Sequence, residues 1–424
     1  MQYKSLVAAA AVLGLAAANS ITDSTLTTAT PSVTLSCSFK DFTATALSQV
    51  ASVAACATAV GDIYISGDAF GAIDLTGVER IYGDLNINGT QQATSFNAPT
   101  LELVSGELLI SYATILASVN LAQLTTVGTL TYNALPALES TGLTTGVTSA
   151  ENILFTNTGL TSLSGIDVYE LTTFEVSNNA DIATIDSGLE SVTTLLTINY
   201  NSDKVEVYLD LLTSAKSVIF QSIASLSVAN LTTVNGSLAL QSNSFDSFEF
   251  PVLTSIGNSL SIEDNDNLEE FDFPVLKTIG GALSIEDNDE LSSFSYFPNL
   301  TTIGGSVTID GDFDNGTFPS LTKVSGGFNL TTTGDLSCDA FTELNSDGDI
   351  EGDEFYCEGA SSTVSSSSAK TTTTKSTSTG TSGSSSTSTS SSTSSTKSSG
   401  AAPAAGLKLV SVASFFLGVG ALLF

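Results

Sequence analysis

Between Phe250 and Asp289 the chain says the same thing twice. Phe250-Pro251-Val252-Leu253 leads through Ile256-Gly257 into Leu260-Ser261-Ile262-Glu263-Asp264-Asn265-Asp266. Phe273-Pro274-Val275-Leu276 then leads through Ile279-Gly280 into Leu283-Ser284-Ile285-Glu286-Asp287-Asn288-Asp289. An offset of about 23 residues maps one copy onto the other, and weaker copies start at Phe297-Pro298 and Phe318-Pro319. A fixed period in the twenties constrains the fold more than any other feature here. Each repeat is one coil that cannot bury its apolar face alone, so coils must stack.

The same device runs well beyond the duplicated pair. Two apolar residues separated by one recur from Ile63/Ile65 and Leu85/Ile87 through Leu196/Ile198 to Phe328/Leu330, in steps of roughly 20 to 24 residues. Alternation of this kind predicts a strand with its apolar side inward. A second set, such as Leu253/Ile256 and Leu276/Ile279, marks another face of each coil. Gly257, Gly280 and Gly304 follow that set, and a tight corner of positive φ is expected at each. The Phe-Pro pairs predict a further corner, with Phe packed inward. Helical periodicity is absent from the coils, which favours a β-solenoid of about 13 coils over a strand-plus-helix horseshoe. Polar turns follow the first strand at Asn88, Asn178-Asn179, Asn199, Asn243, Asn265, Asn288 and Asp310. Stacked asparagines there are expected to hydrogen-bond from coil to coil.

Composition excludes several chemistries. The chain has no His and no Trp, which removes His-dependent acid–base catalysis, Ser-His-Asp nucleophiles and His-ligated zinc. Net charge is −33, and all 44 acidic residues lie within 21–360, where Lys40, Arg80, Lys204, Lys216, Lys277 and Lys323 are the only basic ones. Such a surface repels nucleic acid and anionic headgroups. No cofactor is expected.

The ends of the chain carry an address. Lys4, the apolar run Leu6 to Leu15 and Ala16-Ala17-Ala18 read as a signal peptide over 1–18. Residues 19–60 read as an N-terminal cap, with a short amphipathic helix on Phe42, Ala46, Val50 and Val53 between Cys37 and Cys56. The solenoid spans 61–336 and a C-terminal cap 337–360. Four cysteines allow three pairings. The local pairs Cys37–Cys56 and Cys338–Cys357 are expected, because the solenoid body holds the two ends apart. Residues 361–399 are nearly all Ser and Thr and read as an extended, O-glycosylated stalk. In 400–424, small residues around Gly400, a spacer through Lys408 and the apolar tail Leu409 to Phe424 read as a GPI attachment signal, with Gly400 the favoured attachment residue, Ser399 and Ala401 the alternatives, and the membrane held through the lipid. Sequons at Asn88, Asn230, Asn235, Asn299, Asn315 and Asn329 are candidate N-glycan sites.

The repeat F-P-x-L-x-x-I-G-x-x-L-x-I-x-x-N, as in Phe273 through Asn288, resembles the receptor L-domain repeat, which implies a right-handed parallel β-helix, all-β and related to leucine-rich-repeat folds. With the signal peptide, two-Cys caps, stalk and attachment signal in this order, the chain is similar to the fungal GPI-anchored cell-wall organisation proteins related to the yeast sporulation-specific wall proteins. That resemblance implies an extracellular, non-enzymatic glycoprotein of the plasma-membrane outer leaflet or wall. It is expected to be required for wall integrity and to touch wall polysaccharide or wall glycoproteins. No catalytic residues come with the resemblance.

The doubled acidic turn admits sharper readings. Glu263, Asp264 and Asp266 are expected to stack on Glu286, Asp287 and Asp289 about 5 Å apart, the carboxylate spacing of a retaining glycosidase. Oxygen ligands for calcium are a second reading. Solvated turns that discourage edge pairing are the third, and the simplest. At the level of the whole chain, the alternative to a structural role is a glycan- or protein-recognition module acting through the long β-face, with a wall hydrolase or transglycosidase more distant.

Overall fold

The computed structural model describes residues 29–40 and 42–359. The segments expected to be a signal peptide (1–18), a stalk (361–399) and an attachment signal with Gly400 (400–424) lie outside the described residues. The repeats form a parallel β-solenoid. Its principal ladder starts at Phe42–Ala44, which pairs in parallel with Ile63–Ser66, and continues coil by coil to Phe328–Thr332 and Phe355–Glu358. The duplicated coils stack as their sequences dictate, with Leu260 on Leu283, Ile262 on Ile285 and Glu263 on Glu286. Shorter ladders line other sides, such as Ser247–Glu249 on Glu270–Asp272.

Alternation decides the inside. Leu260, Ile262, Leu283, Ile285, Leu253, Ile256, Leu276 and Ile279 are all buried, whereas Ser261 and Ser284 between them face outward. Each buried Leu or Ile side chain contributes roughly 1.5–3 kcal/mol relative to exposure, offset by the entropy of ordering the chain. The Phe of each Phe-Pro pair points inward as expected, and the rings stack. Phe250 and Phe273 have centroids 5.1 Å apart, and Phe273 and Phe297 5.3 Å, with interplanar angles of 9° and 8°.

The glycines after the second apolar set are needed for a reason other than the expected one. Gly257, Gly280 and Gly304 do not take positive φ. A Cβ on Gly280 would lie 2.2 Å from the carbonyl oxygen of Gly257, and one on Gly304 2.2 Å from that of Gly280. Neighbouring coils touch backbone to backbone there, so close approach selects glycine. No separate tight corner stands between the two apolar sets in the middle of the solenoid. One bent strand carries both, as in Leu103–Ser111, Thr126–Leu135 and Ser191–Asn199, and the register shifts at the bend.

The ends are capped. Helix α1 spans Leu47–Ala54 and buries Val50 and Val53. Its first turn is closed by Gln49 Oε1, which accepts from the backbone N–H of Thr45 at 2.8 Å and of Ala46 at 3.1 Å. Phe42 is not helical but sits on the first strand, paired with Ile63. At the other end a helix without a periodic signal, α2, spans Asp339–Asp347 and stops at Gly348, whose φ is 85°. Its Phe341 is fully buried against the rings of Phe294, Phe318 and Phe328, at 6.0, 6.4 and 5.4 Å. Disulfides join Cys37 to Cys56 and Cys338 to Cys357. Among the described residues no helix is long and apolar enough to cross a membrane.

Candidate functional site

The turn that closes nine consecutive principal strands is where the sequence varies while its geometry does not. Its first residue is left-handed in coil after coil: Tyr112, Ala134, Asn157, Asn178, Tyr200, Ser222, Ser242, Asp264 and Asp287 all have φ between 50° and 57°. Non-glycine residues pay roughly 1–2 kcal/mol for this conformation, and Asn and Asp least. The residue that follows turns inward, and there the sequence supplies Asn179, Asn201, Asn243, Asn265 and Asn288, all buried. These form two ladders. Asn179 Nδ2 donates to Asn201 Oδ1 at 3.1 Å. Asn243 Nδ2 donates to Asn265 Oδ1, and Asn265 Nδ2 to Asn288 Oδ1, each at 3.0 Å. Each side chain also serves the backbone, as where Asn265 Nδ2 donates to the Leu240 carbonyl at 3.0 Å. Ile223 occupies the equivalent place between Asn201 and Asn243 and splits the ladder.

Ladder membership therefore differs from the sequence expectation. Asn88 and Asp310 are exposed on principal strands, Asn178 is the exposed left-handed residue, and Asn199 ends a strand on the outer face. Asn201 was the missing member. The signal that finds it is its place two residues beyond the strand end at Asn199, matching Asn179 beyond Ser177.

The acidic turn is a set of parallel columns. Glu263, Glu286 and Asp310 stand in register on consecutive strands. Asp264 and Asp287 are the exposed left-handed pair beside them, and Asp266 and Asp289 are exposed beyond. Partial burial, then the charges of Asp287, Glu263 and Asp266, raise the Asp264 pKa above its ordinary 3.8. Glu263 accepts from Gln241 Nε2 at 3.1 Å, and Glu286 accepts from the Ser284 hydroxyl. Among the described residues no three His, Cys, Asp or Glu side chains gather closely enough to hold a metal ion.

All six sequon asparagines are exposed. Asn88 and Asn329 lie on principal strands, towards the two ends of the solenoid. Asn230 and Asn299 lie on another side, where their Nδ2 groups donate to the carbonyls of Asp210 and Pro274, each at 2.6 Å. Asn235 lies at an exposed bend, and Asn315 is exposed and forms an isolated parallel bridge with Ser293.

A disulfide-capped parallel β-solenoid with exposed sequon asparagines defines a class, the β-solenoids of receptor L-domain type. The Receptor L domain family matches residues 232–315, which contain the duplicated coils. The cell surface GPI-anchored protein ECM33 of Candida albicans is 39% identical over 334 residues, 78% of this chain and 81% of its own length. Protein ecm33 of Aspergillus fumigatus is 33% identical over 323 residues, 74% of this chain and 80% of its own. Sporulation-specific protein 2 of Saccharomyces cerevisiae is 29% identical over 292 residues, 68% of this chain and 58% of its own. No solved structure matches. The chain belongs to the family of fungal GPI-anchored cell-wall proteins, and its place is extracellular, at the outer leaflet of the plasma membrane or in the wall.

Proposed function

We propose that the protein is a non-enzymatic surface glycoprotein required for the organisation and integrity of the fungal cell wall. The observation that carries this reading is how the repeat spends its polar groups. The inward asparagines hydrogen-bond between coils, the left-handed corners recur coil after coil, and the six sequon asparagines remain exposed along the solenoid. That arrangement suits spacing and glycan display. Wall polysaccharide and wall glycoproteins are the partners such a rod would meet, with Gly400 as the lipid attachment point.

The test is genetic. A fungal strain lacking the chain is expected to become sensitive to wall-perturbing dyes. A variant with Glu263→Gln, Asp264→Asn, Glu286→Gln and Asp287→Asn is expected to restore resistance in full. New reducing ends released from wall glucan by the wild-type chain, and abolished in that variant, would replace this reading with a wall-remodelling enzyme.

A further inference from the structure

The outer face of the principal sheet changes character along the rod. In its middle, two left-handed corner residues are tyrosines, Tyr112 and Tyr200, which are 54% and 53% exposed. The corners between them are small or amide side chains: Ala134, Asn157 and Asn178. The two rings therefore stand as posts four coil spacings apart, about 19 Å. The strand ends between them place Ser111, Asn133, Thr156, Ser177 and Asn199 in one register column on the outer face. This floor carries hydroxyls and amides and no basic group. The neighbouring column holds Leu109, Thr131, Leu154, Glu175 and Thr197. Glu175 accepts from Thr156 Oγ1 at 3.5 Å and Ser177 Oγ at 3.1 Å, and Glu107 accepts from Thr131 Oγ1 at 2.7 Å.

An independent observation marks the same place. Four buried side-chain polar atoms among the described residues have no hydrogen-bond partner, and three of them lie here: Ser111 Oγ, Thr197 Oγ1 and Asn199 Oδ1. Ser111 is 2% and Thr197 7% exposed, and both stand on the outward side of the alternation, Thr197 between the fully buried Leu196 and Ile198, and Ser111 between the fully buried Ile110 and the exposed Tyr112. A buried polar atom without a partner costs about 1–3 kcal/mol, so its retention calls for an explanation. Each unpaired strand end, Ser111 and Asn199, directly precedes one of the two tyrosines. Gln221 Nε2 donates to Tyr200 Oη at 2.8 Å, which braces that ring against the next coil.

We propose that the face between Tyr112 and Tyr200 is a binding trough for an extended neutral polysaccharide chain. Sugar hydroxyls both donate and accept, which suits a floor of hydroxyl and amide groups with spare capacity. The faces of sugar rings are apolar and suit exposed aromatic posts. A polyanion is excluded by the net charge of −33. An added peptide strand needs free main-chain groups at a sheet edge, whereas these strands are paired on both sides. The chain's own glycans leave the span clear, since no sequon falls between Asn88 and Asn230. The inference rests on the wall-facing role proposed above.

The experiment is calorimetric titration of the full-length chain in mild detergent with linear β-1,3-gluco-oligosaccharides of increasing length. Affinity is expected to rise with length until the span between the posts is filled. Tyr112→Asn and Tyr200→Asn should each weaken binding at least tenfold, and asparagine already occupies this corner at Asn157 and Asn178, so folding is preserved. Thr197→Val should weaken binding without lowering the melting temperature. Tyr169→Asn, at an exposed tyrosine off the trough, should change nothing. No saturable binding of glucan, chitin or mannan oligosaccharides, or equal loss in the Tyr169 control, would overturn the trough. Retention of the chain only by deglycosylated wall protein would overturn it too. A strain lacking the chain with a normal wall would instead refute the wall role itself, so the two failures are separable.

Discussion

Asn265 hydrogen-bonds to the coil before it and the coil after it, accepting from the backbone N–H and Nδ2 of Asn243 and donating to Leu240 O and Asn288 Oδ1. Asn265→Leu fills the space but leaves Asn243 N–H and the Leu240 carbonyl unpaired. A loss of about 3 kcal/mol is expected in denaturant unfolding, at about 1–3 kcal/mol per orphaned group and less than additive. Asn267→Ala, at an exposed neighbour, should be silent. Gly280→Ala forces a methyl against the Gly257 carbonyl and should cost more than about 2 kcal/mol. Gly71→Ala meets nothing within 4 Å and needs no positive φ, so its melting curve should match wild type. These positions also show what the sequence could and could not tell. The repeat period and the alternation Leu-x-Ile name the core and the coil register, because burial depends on side-chain identity. Gly280 was visible as a required glycine, but φ and close approach leave the same mark in a sequence. Asn199 and Asn201 are both asparagines near a strand end, and only the exact strand end decides which one turns inward. The tyrosine trough was illegible for a related reason. Tyr112 and Tyr200 are far apart in sequence and become two posts of one feature only when the corner column is aligned.

At the scale of single elements, the acidic turn and the C-terminal cap make opposite contributions. The folded-state pKa of Asp264 lies above its unfolded value. Its ionised form therefore opposes folding at neutral pH, and that cost disappears as pH falls below about 4, where the carboxyl is protonated in both states. Asp264→Asn should raise the melting temperature at pH 7 and have no effect near pH 3. A gain that persisted unchanged at pH 3 would point to packing rather than charge. The cap works through covalent closure. Cys338 and Cys357 are separated by 19 residues, and the disulfide carries α2 against the last strand. Cys338→Ser with Cys357→Ser should cost about 3 kcal/mol and expose α2 to limited proteolysis before the central coils. α2 itself was hidden from periodicity, since Phe341 is its single buried residue.

For the whole molecule, neighbour-only contact is the governing property. Each coil touches the coils before and after it, so stability is close to a sum over coils and interfaces. Removing residues 258–280 joins Gly257 to Gly281 and restores the Ile-Gly-Gly-Ala sequence found at 279–282. This whole-coil deletion should fold, with circular dichroism like wild type and a modestly lower melting temperature. Removing residues 258–269 leaves a half coil that cannot close, so the coils on either side lose their stacking partner, and cooperative unfolding should be abolished. If both deletions behaved alike, coil register would not be what holds the rod together.

The C-terminal disulfide has a mechanical consequence. A protein tethered through its C-terminus receives load at the last strand, Phe355–Glu358, whose parallel pairing to Phe328–Thr331 would open like a zip, one bond at a time. The bridge at Cys357 passes that force directly to Cys338 and leaves residues 339–356 slack within a covalent loop. Pulling therefore cannot draw out the cap as extended chain. The first length it could release lies before Cys338, in coils where Phe297 packs on Phe318 and the rings of Phe318 and Phe328 pack against Phe341, so the cap stays whole while the surface strains against its anchor.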